Sequence, residues 1–153
     1  MMDVDIQKTF ADLHLAVAAL GGARLFTVTV LDRKARVSRR AYTSHALDYP
    51  VSGTKPMTDD GWSRHCVDGL KTFVANRTAE FSPYFPDHAQ INRLGCHSAV
   101  NVPVIGGGLV RGTVNLLDVE GHFTPDRVRA IEALIVARQA DLLAAMAAVP
   151  MAE

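Results

Sequence analysis

Two strand-like segments joined by three glycines constrain the fold of this chain more than any other feature. Residues 98–105 and 109–119 are rich in valine and other branched residues, which favour strands. Gly106, Gly107 and Gly108 lie between them, and glycine readily adopts the positive φ angles that tight hairpin turns need. The pattern predicts a β-hairpin and therefore a sheet that is mostly antiparallel.

Amphipathic helices are predicted at both ends of the chain. Residues 3–20 carry apolar side chains at three- and four-residue spacing, and Gly21 and Gly22 end that helix. Thr124 can cap a second helix, and Pro125 suits its first position, so this helix is predicted to run over 125–148. Each helix has one apolar face, which we expect to cover the same side of the sheet.

The middle of the chain contains shorter elements. We predict strands over 25–32, 36–44 and 71–75, a long loop over 45–57, short helices over 58–67 and from residue 86 to about 94, and an irregular stretch over 76–85. The chain is therefore a single α/β domain with its core over about 3–148. Its 45–97 segment would cover the second face of the sheet and leave a pocket between them.

Composition excludes several classes of function. The chain has 153 residues, 48% of them hydrophobic, and its acidic and basic residues balance to a formal net charge of zero. Such a balance gives no general attraction to nucleic acid or to an anionic membrane. One cluster of basic residues is interpreted as a solvated hairpin rather than a nucleic-acid site; it consists of Arg33, Lys34, Arg36, Arg39 and Arg40.

The sequence also carries expectations about location and redox state. Its N-terminus is acidic where a signal peptide would be basic, and no apolar run is long enough to span a membrane. We therefore expect a cytoplasmic protein without a membrane partner. Cys66 and Cys96 are the two cysteines, and in the cytoplasm both are expected to be reduced and not bonded to each other.

Three segments in the second half of the chain resemble the GAF domain, a small-molecule sensor fold related to PAS domains. They are the segment 94–104, whose strand ends in Pro103-Val104, the segment 112–118, which contains a Gly-x-x-Asn-Leu pattern, and a Phe-Thr-Pro-Asp helix start at 123–126. The resemblance spans nearly the whole chain and implies the α/β fold described above. The Asn-Lys-Phe-Asp-Glu signature of the cyclic-nucleotide-binding branch is missing.

The resemblance implies a small-molecule-binding sensor, and because no output domain is attached, we expect it to act in trans without catalysis. Two alternatives remain open. One is a thiol enzyme similar to free methionine-(R)-sulfoxide reductase, with Cys66 and Cys96 as catalytic residues, although that family uses three cysteines. The other is a dimerisation module with an empty pocket.

Strand alternation identifies candidate ligand-binding residues, because side chains on a strand point to opposite faces in turn. If the valines of each strand face the helices, the polar residues between them face the pocket, and aromatic residues of the 45–97 segment would cover it. Tyr42, Trp62, Asn101 and Asn115 should line one cavity. The complete predicted set is Arg40, Tyr42, Trp62, Cys66, Tyr84, Cys96, Asn101, Thr113 and Asn115.

Metal or haem binding is not predicted. The dipeptides His65-Cys66 and Cys96-His97 contain suitable ligands, but adjacent residues of a helix point about 100° apart and cannot easily bind one ion together. No sequence feature distinguishes any of the six histidines as a haem ligand. We therefore predict no cofactor, and an unidentified small molecule as the partner.

The terminal helices carry apolar residues outside their core-facing stripes. On the last helix, Val136 and Leu143 fall away from the predicted core stripe, and Leu15 lies opposite the core face of the first helix. Small and apolar residues outside the core stripe allow close packing between subunits. We therefore expect a homodimer formed through the terminal helices.

Overall fold

The computed structural model describes residues 4–151, which form a six-stranded sheet with helices on both faces. The strands are β1 (Leu25–Asp32), β2 (Val37–Thr43), β3 (Thr54–Pro56), β4 (Phe73–Ala75), β5 (Ser98–Gly106) and β6 (Leu109–Asp118). The strand order is β3-β2-β1-β6-β5-β4, and all neighbours are antiparallel. The predicted mostly antiparallel α/β fold is confirmed.

Three helices cover one face of the sheet. They are α1 (Ile6–Ala18), α5 (Pro125–Ala137) and α6 (Gln139–Ala148). Asp5 caps α1 by accepting a hydrogen bond from the Lys8 amide, and Thr124 caps α5 by accepting one from the Arg127 amide. Pro125 occupies the start of α5, as predicted. Side chains such as Phe10 and Leu142 pack between these helices and the sheet in the larger hydrophobic core.

The other face is covered by short elements that we call the roof. They are α2 (Gly61–Ser63), a π-helical turn (Arg64–Asp68) that continues it, α3 (Thr78–Phe81) and α4 (His88–Arg93), with their connecting loops. A second, smaller core lies here, built around Phe81 and Ile91 of the roof and Ala99 and Leu117 of the sheet. No helix within residues 4–151 is long and apolar enough to cross a membrane.

Three predicted elements differ from the observed ones. The predicted loop over 45–57 contains β3, which pairs with the edge of β2 and is only three residues long, too short to show a period. Residues 76–85 contain α3. The predicted helix over 125–148 is broken at Arg138, whose φ of −105° and ψ of 11° are not α-helical.

The break at Arg138 affects one residue of the predicted dimer surface. Leu143 is half-buried and packs against the larger core, with its side chain beside Gly106. The prediction that Leu143 lies away from the core is therefore wrong, because the periodicity assumed one continuous helix. Leu15 and Val136 do lie on the surface, with 73% and 68% of their areas exposed.

Candidate functional site

A cavity of about 500 Å³ lies between the sheet and the roof. Its floor is the face of the sheet opposite α1, α5 and α6, and its walls come from the roof and from β3. A cavity of this size is within the range of small-molecule sites. The residues that line it are Leu25, Thr27, Thr29, Leu31, Ser38, Arg40, Tyr49, Gly53, Lys55, Pro56, Met57, Thr58, Trp62, Ser63, Val67, Asp68, Tyr84, Phe85, Pro86, Asp87, Ile91, Asn101, Thr113, Asn115 and Leu117.

A hydrogen-bonded row of side chains crosses the cavity floor. Asn101 of β5 and Asn115 of β6 are register partners, and Asn115 also pairs with Thr27 of β1. Asn101 Nδ2 donates to Asn115 Oδ1 at 2.8 Å, and Asn115 Nδ2 donates to Thr27 Oγ1 at 3.1 Å. Both asparagines are buried, so these bonds satisfy amide groups that would otherwise be costly to bury.

Trp62 connects this row to the roof. Its indole Nε1 donates to Asn101 Oδ1 at 2.9 Å. Asp60 caps the short helix that carries Trp62, because its carboxylate accepts from the Ser63 amide while the Ser63 hydroxyl accepts from the Asp60 amide. The π-helical turn that follows packs against β5 and β6. The Trp62 ring is therefore held over the floor by both its cap and its hydrogen bond.

A charged cluster forms one wall of the cavity. The Tyr49 hydroxyl donates to Asp87 Oδ2 at 2.7 Å, and Lys55 forms an ion pair with Asp87 Oδ1 at 3.1 Å. Burial alone would raise the pKa of Asp87, but Lys55 and the Tyr49 hydroxyl outweigh it and lower that pKa. Burial, followed by the bond to Asp87, raises the pKa of Tyr49, which therefore stays protonated. Asp87 is thus an ionised acceptor already occupied by two donors.

Comparison with known proteins identifies the fold family. The GAF domain family profile matches residues 3–137. The chain belongs to the GAF domain family. Members of this family are typically small-molecule-binding sensory domains in signalling proteins, so the resemblance seen in the sequence is confirmed. A search of curated protein sequences found no significant match.

Solved structures of other GAF domains share the architecture. A GAF/HD domain protein from Geobacter sulfurreducens matches with a TM-score of 0.76 and 15% identity, covering 94% of this chain and 95% of that one. The GAF domain of a two-component sensor histidine kinase from Bacillus halodurans matches with a TM-score of 0.73 and 12% identity, with the same coverage. The PixJ GAF domain from Thermosynechococcus elongatus matches with a TM-score of 0.67 and 14% identity, covering 94% and 86%. At these identities the likeness establishes a common fold and no common ligand.

Six of the nine residues predicted to bind a ligand line the cavity of this GAF domain. They are Arg40, Trp62, Tyr84, Asn101, Thr113 and Asn115. They come from β2, β5, β6 and the roof, and alternation along the strands was the signal that found most of them. Sequence reasoning missed the cluster of Tyr49, Lys55 and Asp87 as a unit. Lys55 lies on β3, which was predicted to be loop, so nothing in the sequence placed it beside Asp87.

Tyr42 lies on the opposite face of the sheet, and its prediction as a cavity residue was wrong. The β1–β2 register pairs Val28 with Tyr42 and Thr29 with Arg40, so Ala41 is an extra residue in a β-bulge. The bulge reverses the alternation, and Tyr42 therefore faces the helices. Its hydroxyl lies 3.0 Å from His14 Nδ1. Arg40, before the bulge, keeps its place in the cavity.

The two cysteines do not line the cavity either. Both are free, fully buried thiols; Cys66 Sγ contacts the Asn101 carbonyl oxygen at 3.8 Å, and Cys96 packs in the smaller core. Burial raises the pKa of Cys66 to about 12 and that of Cys96 to about 11. A reactive cysteine needs an accessible thiolate. The geometry therefore gives no support to thiol catalysis, which the sequence left open as an alternative because it does not show how deeply each cysteine is buried.

The histidines next to the cysteines have other contacts. His65 Nε2 bonds with the Thr72 carbonyl oxygen at 2.8 Å, and His97 Nδ1 lies 3.2 Å from Asn92 Nδ2. Among the residues that the structure describes, no group of three or more His, Cys, Asp or Glu side chains could hold a metal ion.

Proposed function

We propose that this GAF domain binds a small molecule in the cavity over its sheet and acts as a sensor module without catalysis. The observation that carries the proposal is the cavity of about 500 Å³, with a hydrogen-bonded polar floor and aromatic walls. A face that only stabilised the domain would be filled with apolar side chains, as the helix side is. The proposed ligand contacts are Arg40, Trp62, Tyr84, Asn101, Thr113 and Asn115.

The two alternatives from the sequence have less support. A thiol enzyme needs a reactive cysteine in the site, and Cys66 and Cys96 are buried outside it. A module that only dimerises has no use for an open cavity with a polar floor. The free thiols are consistent with a reducing compartment, and we propose a cytoplasmic location on that ground.

Native mass spectrometry of the purified protein tests ligand binding. We expect an added mass under non-denaturing conditions that disappears on denaturation. Thr29 is half-buried and faces the cavity, so Thr29→Trp should fill the space and abolish the added mass. Thr54→Trp is the matched control, because Thr54 is exposed on the edge strand outside the cavity lining.

Two results would contradict the proposal. One is an adduct that survives Thr29→Trp while that variant remains folded, since the ligand would then bind elsewhere. The other is wild-type protein that carries no adduct and is not stabilised against heat by any compound of a broad metabolite panel. Binding to the native state must raise the melting temperature when ligand exceeds its dissociation constant.

We further propose that the domain forms a homodimer through its terminal helices. Leu15 of α1 and Val136 of α5 are large apolar residues with most of their surface exposed, and burial between two copies would remove that area from water. In sedimentation equilibrium we expect a dimer at micromolar concentration, weakened by Val136→Glu and unaffected by Leu109→Glu, an exposed apolar residue in the β5–β6 hairpin. A monomeric wild-type protein would rule the dimer out.

A further inference from the structure

One part of the cavity floor holds hydrogen-bond donors that lack acceptors. Thr29 of β1 is the register partner of Arg40 on one side and of Thr113 on the other. Directly paired residues lie on the same face of a sheet, about 4.5–5.5 Å apart between their Cβ atoms. Arg40, Thr29 and Thr113 therefore form a second row across β2, β1 and β6, beside the asparagine row.

The hydrogen bonds on the floor run in one direction, and Trp62 sets it. An indole N–H can only donate, so Asn101 must accept with Oδ1 and donate with Nδ2 to Asn115. Asn115 must then donate to the threonines, with Nδ2 at 3.1 Å from Thr27 Oγ1 and 3.4 Å from Thr29 Oγ1. Each step follows from the one before it, so the asparagine amides have no alternative orientation.

One threonine hydroxyl proton at the end of this row of hydrogen bonds has no acceptor. Thr29 Oγ1 and Thr113 Oγ1 lie 2.6 Å apart, so one hydroxyl donates to the other. Whichever of them donates, the other keeps a hydroxyl proton for which the described residues provide no acceptor. The floor therefore ends in a donor next to Arg40 and is suited to a ligand group that accepts hydrogen bonds.

The Arg40 guanidinium is also short of partners. Its Nη1 donates to the Pro50 carbonyl oxygen at 3.1 Å, and its Cζ lies 4.9 Å from the centre of the Tyr49 ring. Its Nε is buried without a hydrogen bond, and Nη2 makes none within residues 4–151. Burial lowers the pKa of Arg40 from its ordinary 12.5, but arginine remains charged at neutral pH. Asp87 attracts this cation without forming an ion pair or hydrogen bond with it, and a poorly solvated cation that contacts no anion favours a bound one.

The charges around the cavity favour an anion with a single charge. Lys55 is paired with Asp87, and Arg39, which lies outside the cavity lining, is paired with Asp32. Among the described residues, Arg40 is the cation of the cavity lining that forms no ion pair, and Asp87 compensates its charge only in part because it is already paired with Lys55. Asp68 lies on the rim and is exposed, so its charge is largely screened by water.

The rest of the cavity is apolar and can hold the body of such an anion. Its apolar lining comes from both the sheet and the roof, and includes Leu25, Trp62, Tyr84, Phe85, Ile91 and Leu117. Aromatic walls with polar edges suit a planar or branched group. The volume of about 500 Å³ exceeds what a bare inorganic anion would occupy.

We propose that the cavity binds a small monocarboxylate with an aromatic or branched apolar body, its carboxylate held by Arg40 and by the one hydroxyl of the Thr29–Thr113 pair whose proton remains free. The inference rests on the proposed function and specifies its ligand class. Nη2 can donate in the described conformation. A small rotation of the side chain, which brings Nε out of its shielded position, would complete the two-pronged arrangement that guanidinium and carboxylate favour.

Titration calorimetry with matched pairs of probes tests the proposal. The probes are phenylacetate, phenylpropionate and isovalerate, each compared with its primary amide, which has the same shape without the charge. We expect at least one acid to bind about tenfold tighter than its amide, a difference of about 1.4 kcal/mol. Phenyl phosphate, a dianion at neutral pH, should bind more weakly than the best acid.

Two variants connect the preference to Arg40. Arg40→Gln should reduce the difference between acid and amide to less than about twofold, and Arg40→Lys, which keeps a charge but lacks the planar fork, should retain part of it. Lys34→Gln is the matched control, because Lys34 is an exposed cation in the turn between β1 and β2 and its loss changes the net charge equally. If Arg40→Gln does not fold, the difference in affinity between acid and amide is measured in Arg40→Lys instead.

The outcomes separate this inference from the proposed function. Equal binding of acids and amides, or tighter binding of phenyl phosphate, would overturn the monocarboxylate and leave a small-molecule sensor. An acid preference that survives Arg40→Gln would overturn the role of Arg40. If no probe binds and native mass spectrometry finds a neutral or cationic ligand, the monocarboxylate inference is overturned but the proposed sensor function stands. If no probe binds and no adduct is found, both the inference and the proposed function are overturned. A co-purified carboxylate supports both.

Discussion

The two faces of the central sheet are made by the same strands but have opposite organisation. Along β1, Phe26 and Val28 face the helices and are buried in the larger core, while Thr27 and Thr29 face the cavity and hydrogen-bond across the floor. The helix side gains its stability from close apolar packing, and the cavity side keeps open space with satisfied polar groups. Alternate residues of one strand therefore contribute to stability and to binding. Substitutions on the helix side should mainly change the free energy of unfolding, and those on the cavity side should mainly change ligand affinity.

The largest expected effect comes from removing an aromatic ring on the helix side. Phe26 is fully buried and its ring stacks on His14 with centroids 4.5 Å apart. Phe26→Ala should lower the free energy of unfolding by about 3–5 kcal/mol, since it leaves a cavity in a packed core. Urea denaturation measures the loss. If the variant folds and its affinity for the best probe falls as much as its stability, the two faces are not separable.

A smaller effect is expected from breaking the polar row on the cavity side. Asn115→Ala leaves Asn101 Nδ2 and the Thr27 hydroxyl without their Asn115 partner, while Thr29 keeps its bond to Thr113. The loss should cost about 1–2 kcal/mol, below the core substitution because water in the cavity can reach these groups. The same denaturation experiment measures it. Here we expect the affinity for the best probe to fall by at least about tenfold, corresponding to a lost contact and a disordered floor. Unchanged affinity would place the ligand away from the floor.

Most of the fold could be predicted from the sequence because its signals are local. Thr124 and Pro125 identified the start of α5, and the three glycines identified the β5–β6 hairpin. The elements that were missed depend on tertiary contacts instead. Strand β3 forms because it pairs with β2. No proline or glycine marks the break in the helix at Arg138.

The site was predictable as far as strand alternation held. Thr113, Asn115 and Asn101 lie on continuous strand segments, and all three line the cavity. Tyr42 was misplaced because the bulge at Ala41 shifts the register by one residue, and a one-residue shift moves a side chain to the other face. Nothing in the local sequence marks this bulge, since Ala41 is neither glycine nor proline.

The bulge gives a prediction that sharpens the comparison between the two faces. Tyr42→Phe removes a hydroxyl 3.0 Å from His14 Nδ1 and keeps the ring packed against Phe26. Because Tyr42 is half-buried, the loss should be about 0.5 kcal/mol. Affinity for the best probe should be unchanged, since Tyr42 is on the helix side. Reduced affinity would mean that the register prediction from sequence was right and the bulge is absent.

The smallest expected effect is a pH dependence that belongs to the helix side alone. Burial, followed by the nearby charge of His45, lowers the pKa of His14 below its ordinary 6.5. A group with a lowered native pKa takes up its proton more readily when the chain is unfolded. The neutral His14 therefore contributes stability above its unfolded pKa, and this contribution is lost as the pH falls through its native pKa.

Comparison with His14→Gln isolates this contribution, because the other histidines are present in both proteins. The free energy of unfolding, measured by urea at intervals between about pH 7.5 and about pH 5, should fall more steeply for the wild type than for the variant. Probe affinity should show no such difference between the two, since His14 does not line the cavity. Parallel stability curves would mean that His14 is as well solvated in the folded chain as in the unfolded one, and that its stacking on Phe26 does not exclude water.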